Sequence, residues 1–549
     1  MSYIQLVRRE IQGSLPKLAF MSILGGISNA TILAAINAGT GAIADSKTPS
    51  LSTVVLFLVA LFLFIRTQLY ITITSTAEIE AIIHRIRLRL MDQIRRSELL
   101  ALEGVGRANI VAAITSDTAV LTQASFILCF SVQGVVLIFF VAIYVAYLSI
   151  AAFVLSVAVV GSAALLFHLR NRSIQAQQQE ATLRERQLFD RLVDFLEGFK
   201  EVRLNSARSD DLFDDAVEVS RTAANIKIRS QTALFKQMVT TQTALYVLLG
   251  TVVFLAPRIS ESLAGASITK TTTALLFVIG SCFGLVQSIP ILLSANAAAD
   301  RISRLEDALR SAVSSAEASR MSTTGRFAKI EMHDVVFRYV DRLSETAFQI
   351  GPLDFTLQSG DLVFITGGNG SGKSTFLRVL AGLYPPDSGE ILLDGVRIDE
   401  ETLDAYRSLI SAIFTDYHLF QRLYGIREPD TTEVGRLLTQ FQLASKTGLS
   451  DGEFRTLDLS GGQRKRLAFV VSLLEKRPIL LLDEWTADQD PEFRRKFYHQ
   501  LLPELKQAGA TIVVITHDDR YLDELHLQAR RLRMDEGRFV EQRSMENGR

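Results

Sequence analysis

The sequence predicts a helical membrane domain of six spans fused to an α/β P-loop nucleotide-binding domain. Three observations predict it. Six apolar runs long enough to cross a bilayer all lie before residue 294, a glycine-rich G-x-x-x-x-G-K-S run occupies Gly367 to Ser374, and a short apolar strand ends in two carboxylates, Asp483 and Glu484. A chain of 549 residues exceeds one ordinary core. Composition divides it into a membrane domain over 1–307, a Ser-, Ala- and Thr-rich linker over 308–327, and a nucleotide-binding domain over 328–549.

A helix of about 20 apolar residues crosses the roughly 30 Å hydrocarbon layer. Such runs are read at Leu18 to Ile43, Leu51 to Thr72, Ala124 to Ala146, Leu148 to Phe167, Thr241 to Leu255 and Thr271 to Leu293. The first run follows Arg8 and Arg9 and is longer than the core of a signal peptide, so it is read as a retained span. Spans one and two, three and four, and five and six are joined by short links. The other two connections are polar, helix-patterned and about 50 and about 70 residues long, far beyond the usual helix-to-helix turn. Arg8, Arg9, Arg85, Arg87, Arg89, Arg95, Arg96, Arg170, Arg172, Arg184 and Arg186 all fall on one side, whereas the short links hold only Lys47, Arg258 and Lys270. Positive loops stay cytoplasmic, so both termini and the P-loop are expected there.

A formal net charge of −1 gives no reason to expect nucleic acid as a partner. Cys129 and Cys282 lie far apart inside apolar runs, which reads as two inert thiols and neither a disulfide framework nor a metal site.

The P-loop reading rests on context as well as spelling. Gly367, Gly368, Asn369, Gly370, Ser371, Gly372, Lys373 and Ser374 follow the apolar stretch Asp361 to Thr366 and open, with Thr375, a helix-forming run. Glycines turn backbone N–H groups inward around phosphates, Lys373 neutralises β- and γ-phosphate charge, and the Ser374 hydroxyl can ligate Mg²⁺. Some 110 residues on, Ile479 to Leu482 form a buried-strand pattern that delivers Asp483 to the metal and Glu484 to the attacking water as general base. Between them sits Leu459, Ser460, Gly461, Gly462 and Gln463, a turn whose hydroxyl and free N–H groups suit an anion but which alone could be an ordinary helix cap.

Together these motifs resemble the ATP-binding cassette (ABC) transporters, whose signature is the Leu459–Gln463 sequence, and the resemblance covers the whole chain. It implies ATP and Mg²⁺ as cofactors, and two cassettes meeting head to tail, so that the Ser460–Gln463 turn of one closes on the P-loop of the other. One cassette per chain then implies a homodimer. Tyr339 matches the aromatic that stacks on adenine, His517 the switch histidine at the γ-phosphate, and Asp490 the D-loop aspartate. One position departs: Thr415 stands where most cassettes have the Q-loop glutamine. Its hydroxyl can reach Mg²⁺ less far than glutamine does, with Asp416 or Gln421 as substitutes.

The long cytoplasmic connections resemble those of exporters, with coupling tips expected at Glu103 to Ile114 and Leu196 to Asn205. Asn29, Asn37, Gln133, Gln242 and Gln287 are polar groups within the spans, read as cavity lining against the alternative of helix-to-helix hydrogen bonding. Phe414 to Phe420 and Asp483 to Arg495, with Trp485 and the Ala487–Asp490 D-loop, are similar to the cyclic-peptide and siderophore exporter family. That implies a bacterial inner-membrane exporter of a cyclic or modified peptide or a siderophore precursor, in contact with membrane lipid. With no protease domain read before the first span, leader-peptide processing is not expected. A lipid flippase, or a non-transporting regulator or channel on the same fold, is the alternative.

Overall fold

The computed structural model describes residues 2–10, 15–44, 46, 48–255, 266–312, 326–340, 347–426, 428–524 and 528–540. Lys47, Arg258 and linker residues 313–325 lie outside them, as do the side chains of Arg170, Arg172 and Arg186. The chain divides into two compact units, Met1–Asp92 with Arg107–Ala308, and Gln93–Gly106 with Leu309–Arg549. The connection between the second and third spans, assigned to the membrane domain by its composition, therefore places its tip in the C-terminal unit.

The membrane unit is entirely helical among the described residues. Five helices are long and apolar enough to cross a bilayer: Pro16–Ile43, Leu51–Arg96, Arg107–Leu148, Ser206–Leu255 and Ile268–Arg310. The fourth expected span is shorter in its described apolar part, Ile150–Ser162, at the start of the helix Ile150–Glu197. Helices outrun the apolar stretches because their helical pattern continues into the polar connections; Ser206–Gly250 alone runs 45 residues. Close packing uses small residues, as expected where lipid removes the hydrophobic drive between helices. A methyl group added at Gly26 would stand 2.3 Å from Val136 Cγ1, so the first and third spans touch through that glycine. At the N-terminal end, the short helix Tyr3–Glu10 is clamped by charge: Arg9 to Glu306 at 3.0 Å, and Arg89 to Glu10 at 2.8 Å. Outward faces stay apolar, with Phe62, Leu58 and Phe139 more than half exposed, as a membrane-facing surface requires.

In the C-terminal unit the strands, in chain order, are β1 (Lys329–Val340), β2 (Ala347–Gln358), β3 (Leu362–Thr366), β4 (Ser388–Leu393), β5 (Val396–Arg397), β6 (Ile410–Ile413), β7 (Leu449–Ser450), β8 (Glu453–Phe454), β9 (Ile479–Asp483), β10 (Thr511–Ile515), β11 (Arg530–Asp535) and β12 (Arg538–Val540). An antiparallel sheet in the order β2-β1-β4-β5 accompanies a six-stranded sheet in the order β12-β11-β3-β10-β9-β6. Strands β11, β3, β10, β9 and β6 are mutually parallel. Such strands are buried on both faces, which is why Leu362 to Ile365, Ile479 to Leu482 and Ile512 to Ile515 read as unbroken apolar runs. Their alternation feeds two cores. Val363, Ile365, Leu481, Val513 and Ile515 enter one with Phe376 and Leu377, while Phe364, Leu480, Leu482, Ile512 and Val514 enter the other with Phe469 and Trp485.

Strand β1 carries a bulge where its register with β4 shifts between His333 and Val336, and Asp334 takes φ 48°. Gly389 faces this bulge at φ +84°, and a Cβ there would lie 2.4 Å from the Asp334 carbonyl oxygen and 2.5 Å from that of His333. Both contacts are backbone and cannot swing aside. Gly389→Ala is expected to lower the melting temperature of the purified protein by about 5 °C, read by thermal unfolding in detergent; an unchanged value would mean that the bulge yields.

Candidate functional site

Four neighbouring parallel strands each deliver one part of the site at their carboxyl ends. In sheet order these are β3 with Gly367 to Ser374, β10 with His517, β9 with Asp483 and Glu484, and β6 with Thr415. Parallel strands lie about 4.8 Å apart, so the glycine-rich loop and Asp483 are separated by one intervening strand.

The loop after β3 is shaped by three positive-φ glycines, Gly367 (146°), Gly370 (78°) and Gly372 (100°). A Cβ at Gly367 would meet the Met534 carbonyl oxygen at 2.1 Å, whereas Gly368 and Gly370 face open space, leaving room on the side a phosphate would occupy. Lys373 opens the helix Lys373–Leu380 and curls back, its Nζ donating to the carbonyls of Gly367 (3.1 Å) and Gly368 (2.8 Å). Burial holds its ammonium below the usual lysine range, against Glu484 and Asp483, which favour the charge. Ser371 Oγ is buried with no hydrogen-bond partner.

Asp483 is 1% exposed, and neither carboxylate oxygen has a hydrogen-bond partner. Burial pushes its carboxyl above the usual range and Glu484 adds to this, although the Ser374 hydroxyl and the Thr415 backbone amide lie near enough to favour the ionised form. A buried, unpaired carboxylate beside a serine hydroxyl, an ammonium and an open glycine loop fits a hard divalent cation bound together with phosphate. From Thr415 it is the backbone amide, not the hydroxyl, that favours the Asp483 charge. Asp416 turns away to Arg378 Nη2 at 3.1 Å, so its side chain does not take the place of the Q-loop glutamine.

Glu484 adopts the left-handed conformation, φ 46°, which costs a non-glycine residue about 1 kcal/mol. Its Oε1 lies 3.1 Å from His517 Nε2. The histidine follows β10, and the next residue, Asp518, is anchored by Thr486 Oγ1 (2.8 Å), Arg494 Nη1 (3.1 Å) and the Tyr498 hydroxyl (3.2 Å). A carboxylate paired with an imidazole at the mouth of the loop can accept a proton from water.

Ser460 caps the helix Gly461–Leu474 in a reciprocal box: Gln463 N donates to Ser460 Oγ (3.4 Å), and Ser460 N to Gln463 Oε1 (3.1 Å). Among the described residues no hydrogen bond or ion pair joins this turn to the Gly367–Ser374 loop of the same chain. It is tied instead to the turn around Asp490. A Cβ on Gly462 would strike the Asp488 carbonyl oxygen at 2.6 Å. Gln489 Nε2 donates to the Gly462 carbonyl (3.1 Å), and Lys465 pairs with Asp488 (2.7 Å) while holding the Glu484 carbonyl (3.0 Å). Arg466, 8% exposed, pairs with Asp490, bonds Gln489 and Gln442, and stacks 3.7 Å from the Phe493 ring centroid. Asp490 also caps the next helix through Phe493 N (2.8 Å). The sequence alone assigns no role of their own to Lys465, Arg466 and Gln489; three cations in a row, Arg464 to Arg466, directly after a helix cap and inside a run that goes on apolar, are the available signal. Tyr339, near the end of β1, is 40% exposed and open to a planar ligand.

The expected coupling tip at Glu103 to Ile114 is displaced. The docked element is the short helix Leu99–Val105, stopped by Gly106 at φ 81°, which starts a new helix at Arg107. Leu99 and Leu100 pack on the core of β1, β2 and β4. The other tip is the helix Phe199–Leu204.

A cavity of about 420 Å³ opens in the membrane unit, with Asn29, Gln68, Gln133 and Gln287 among its lining. Asn37 and Gln242 are not there. Asn37 is fully buried and binds the Lys270 carbonyl (3.1 Å) and the Tyr144 hydroxyl (3.4 Å), joining helices, and Gln242 bonds Tyr246 on its own helix (3.1 Å).

A family model described as "ABC transporter" matches residues 350–487. Over 538 residues the chain is 32% identical to "ATP-binding protein SyrD" of Pseudomonas syringae pv. syringae, covering 94% of this chain and 93% of that protein. The chain belongs to the ABC transporters. This ABC transporter is also 34% identical over 224 residues to "Thiamine import ATP-binding protein ThiQ" of Brucella abortus, covering 39% of the chain and 88% of that protein. The solved structure of a bacterial Atm1-family ABC exporter with ATP bound shares its fold, with TM-score 0.78 at 19% identity over 97% of this chain and 95% of that one. The protein is therefore a half-transporter of exporter architecture, a multi-pass membrane unit joined to an ATPase that drives transport.

Glu484→Gln is expected to keep ATP binding and lower turnover by a factor on the order of 10² or more, since an amide cannot take the proton of water. Lys373→Ala should weaken binding itself; nucleotide-binding and ATPase assays separate the two, and normal turnover in the glutamine variant removes Glu484 from this role. Because it is the Thr415 backbone amide, and not its hydroxyl, that favours the Asp483 charge, Thr415→Val is expected to stay within about threefold of wild-type ATPase; a loss as deep as that of Glu484→Gln, restored by Thr415→Ser, would place the hydroxyl on the metal.

Proposed function

We propose that the protein is a homodimeric exporter of the bacterial inner membrane that uses ATP to move a cyclic or modified peptide, or a siderophore precursor, out of the cytoplasm. The observation that carries the cargo reading is the membrane-unit cavity: four carboxamides, with Ser131, Ser281 and Ser288, line it, and among the described residues no charged side chain does. Such a surface offers paired donors and acceptors to the backbone amides of a compact peptide, and no cation to a phosphate headgroup. The similarity of Phe414 to Phe420 and of Asp483 to Arg495 to the cyclic-peptide and siderophore exporters points the same way.

In this reading Tyr339 stacks on adenine, and the Gly367–Thr375 segment with Lys373 holds the phosphates. Ser374 and Asp483 would hold Mg²⁺, which supplies charge neutralisation at the β- and γ-phosphates. Glu484 accepts the proton of the attacking water and His517 fixes the orientation of its carboxylate. Each protomer's Leu459–Gln463 turn closes on the other's P-loop, and Asp490, held by Arg466, reports that closure to its own signature helix.

In proteoliposomes, a cyclic peptide or siderophore from a panel is expected to stimulate ATPase at least about twofold, and Gln133→Leu with Gln287→Leu to abolish the stimulation while basal hydrolysis persists. Stimulation by phospholipid alone, with every peptide and siderophore inert, would make the protein a flippase.

A further inference from the structure

A second pocket in the membrane unit, of about 170 Å³, is walled by the N-terminal helix Tyr3–Glu10 and the first three spans. Val7, Leu18, Ile79, Ile82, Leu128 and Val132 make it apolar. Leu18 opens the first apolar run and Ile79 lies just past the end of the second at Thr72, so the pocket sits at the border of the hydrocarbon layer, on the arginine-rich side. Ile4 and Phe20, on two of the helices that wall it, are exposed, as a lipid-facing rim requires. Most polar atoms at the pocket are already engaged. The Tyr3 hydroxyl bonds Ser125 Oγ, Tyr3 N donates to Asn296 Oδ1 (2.8 Å), and Ser75 Oγ lies 3.2 Å from Cys129 Sγ. Glu78 differs. It lines the pocket half-buried, and among the described residues it forms no hydrogen bond or ion pair. A carboxylate set among apolar walls calls for a cation that brings an apolar body with it. Two cations flank the pocket from outside: Arg8 follows Val7 and Lys17 precedes Leu18, both exposed and, among the described residues, paired with no acid.

We propose that this pocket binds one phosphatidylethanolamine per chain, with part of an acyl chain between its apolar walls, the ammonium on Glu78 and the phosphate on Arg8 and Lys17. The order of charges selects the headgroup. Phosphatidylglycerol would satisfy the two cations but leave Glu78 beside an anion, and phosphatidylcholine brings a cation with no N–H to give the carboxylate. An ammonium supplies both the charge and the hydrogen bond. The lipid is a resident ligand: it joins the N-terminal helix to the second and third spans, and it lies apart from the carboxamide-lined cavity assigned to cargo.

The test is native mass spectrometry of the full-length protein, stripped of lipid in detergent and titrated with dioleoyl phosphatidylethanolamine or dioleoyl phosphatidylglycerol. One phosphatidylethanolamine per chain is expected to bind about fivefold more tightly than phosphatidylglycerol, and Glu78→Gln to erase that preference. Glu80→Gln, which removes an exposed acid on the same helix outside the pocket, should keep it. Arg8→Gln with Lys17→Gln should weaken both lipids, and so should Val132→Trp, which fills the pocket from a position 41% exposed. Glu78→Gln keeps the shape of the side chain, so it decides the matter even if the tryptophan disturbs its helix. Equal affinity for the two lipids, a preference that survives Glu78→Gln, or one lost in Gln133→Leu with Gln287→Leu would overturn the site, the last by moving the lipid to the larger cavity. Binding is read without nucleotide or cargo, so failure of the export reading would leave this result untouched.

Discussion

Everything at the site depends on one constraint, the registration of four parallel strands at their carboxyl edge. Val363 pairs with Val513 and Val513 with Leu481, so β3, β10 and β9 advance in step, and Ile413 opposite Leu482 brings β6 to the same line. A slip of one residue would turn every side chain to the opposite face and exchange the two cores. The sheet's apolar interdigitation therefore holds Asp483 where it is, against the cost of burying a carboxylate that finds no partner. Such a cost amounts to several kcal/mol in a protein interior, and it is a cost that phosphate-bound cation chemistry can offset.

The parts of the molecule written in local spelling were legible. The apolar runs, the glycine spacing of Gly367 to Ser374 and the strand ending at Asp483 each carry a physical signature within a dozen residues. What was not legible depends on tertiary neighbours. Asn37 and Asn29 look alike in sequence, yet one ties the first span to the Lys270 carbonyl and the other faces a cavity; only the rotation of the helix about its axis separates them. The docked tip lies at Leu99–Val105, ahead of the expected position, because Gly106 leaves the helical region and resets the chain. The fourth span reads shorter than the others, since its apolar character fades into a helix that continues to Glu197.

The departures from the common cassette pattern are distributed in a way that makes physical sense. Thr415 is shorter than the glutamine that most cassettes carry there, and the next residue, Asp416, pairs with the half-buried Arg378. After Glu484, Trp485 packs against Phe469, Phe493 and Phe497 and donates its indole N–H to the Lys465 carbonyl at 2.9 Å. The ammonium of that lysine holds Glu484 and Asp488. The helix that begins at Gly461, Glu484 and the turn up to Asp490 are thus one hydrogen-bonded body within a chain, and Arg466 closes it at Asp490.

Trp485 is also the chain's sole tryptophan. Its indole is sealed from solvent, hydrogen-bonded to the helix that begins at Gly461, and one peptide bond from Glu484. The protein thereby carries a native optical probe beside Glu484, and its ultraviolet emission reports on the packing of that junction without any dye or engineered label.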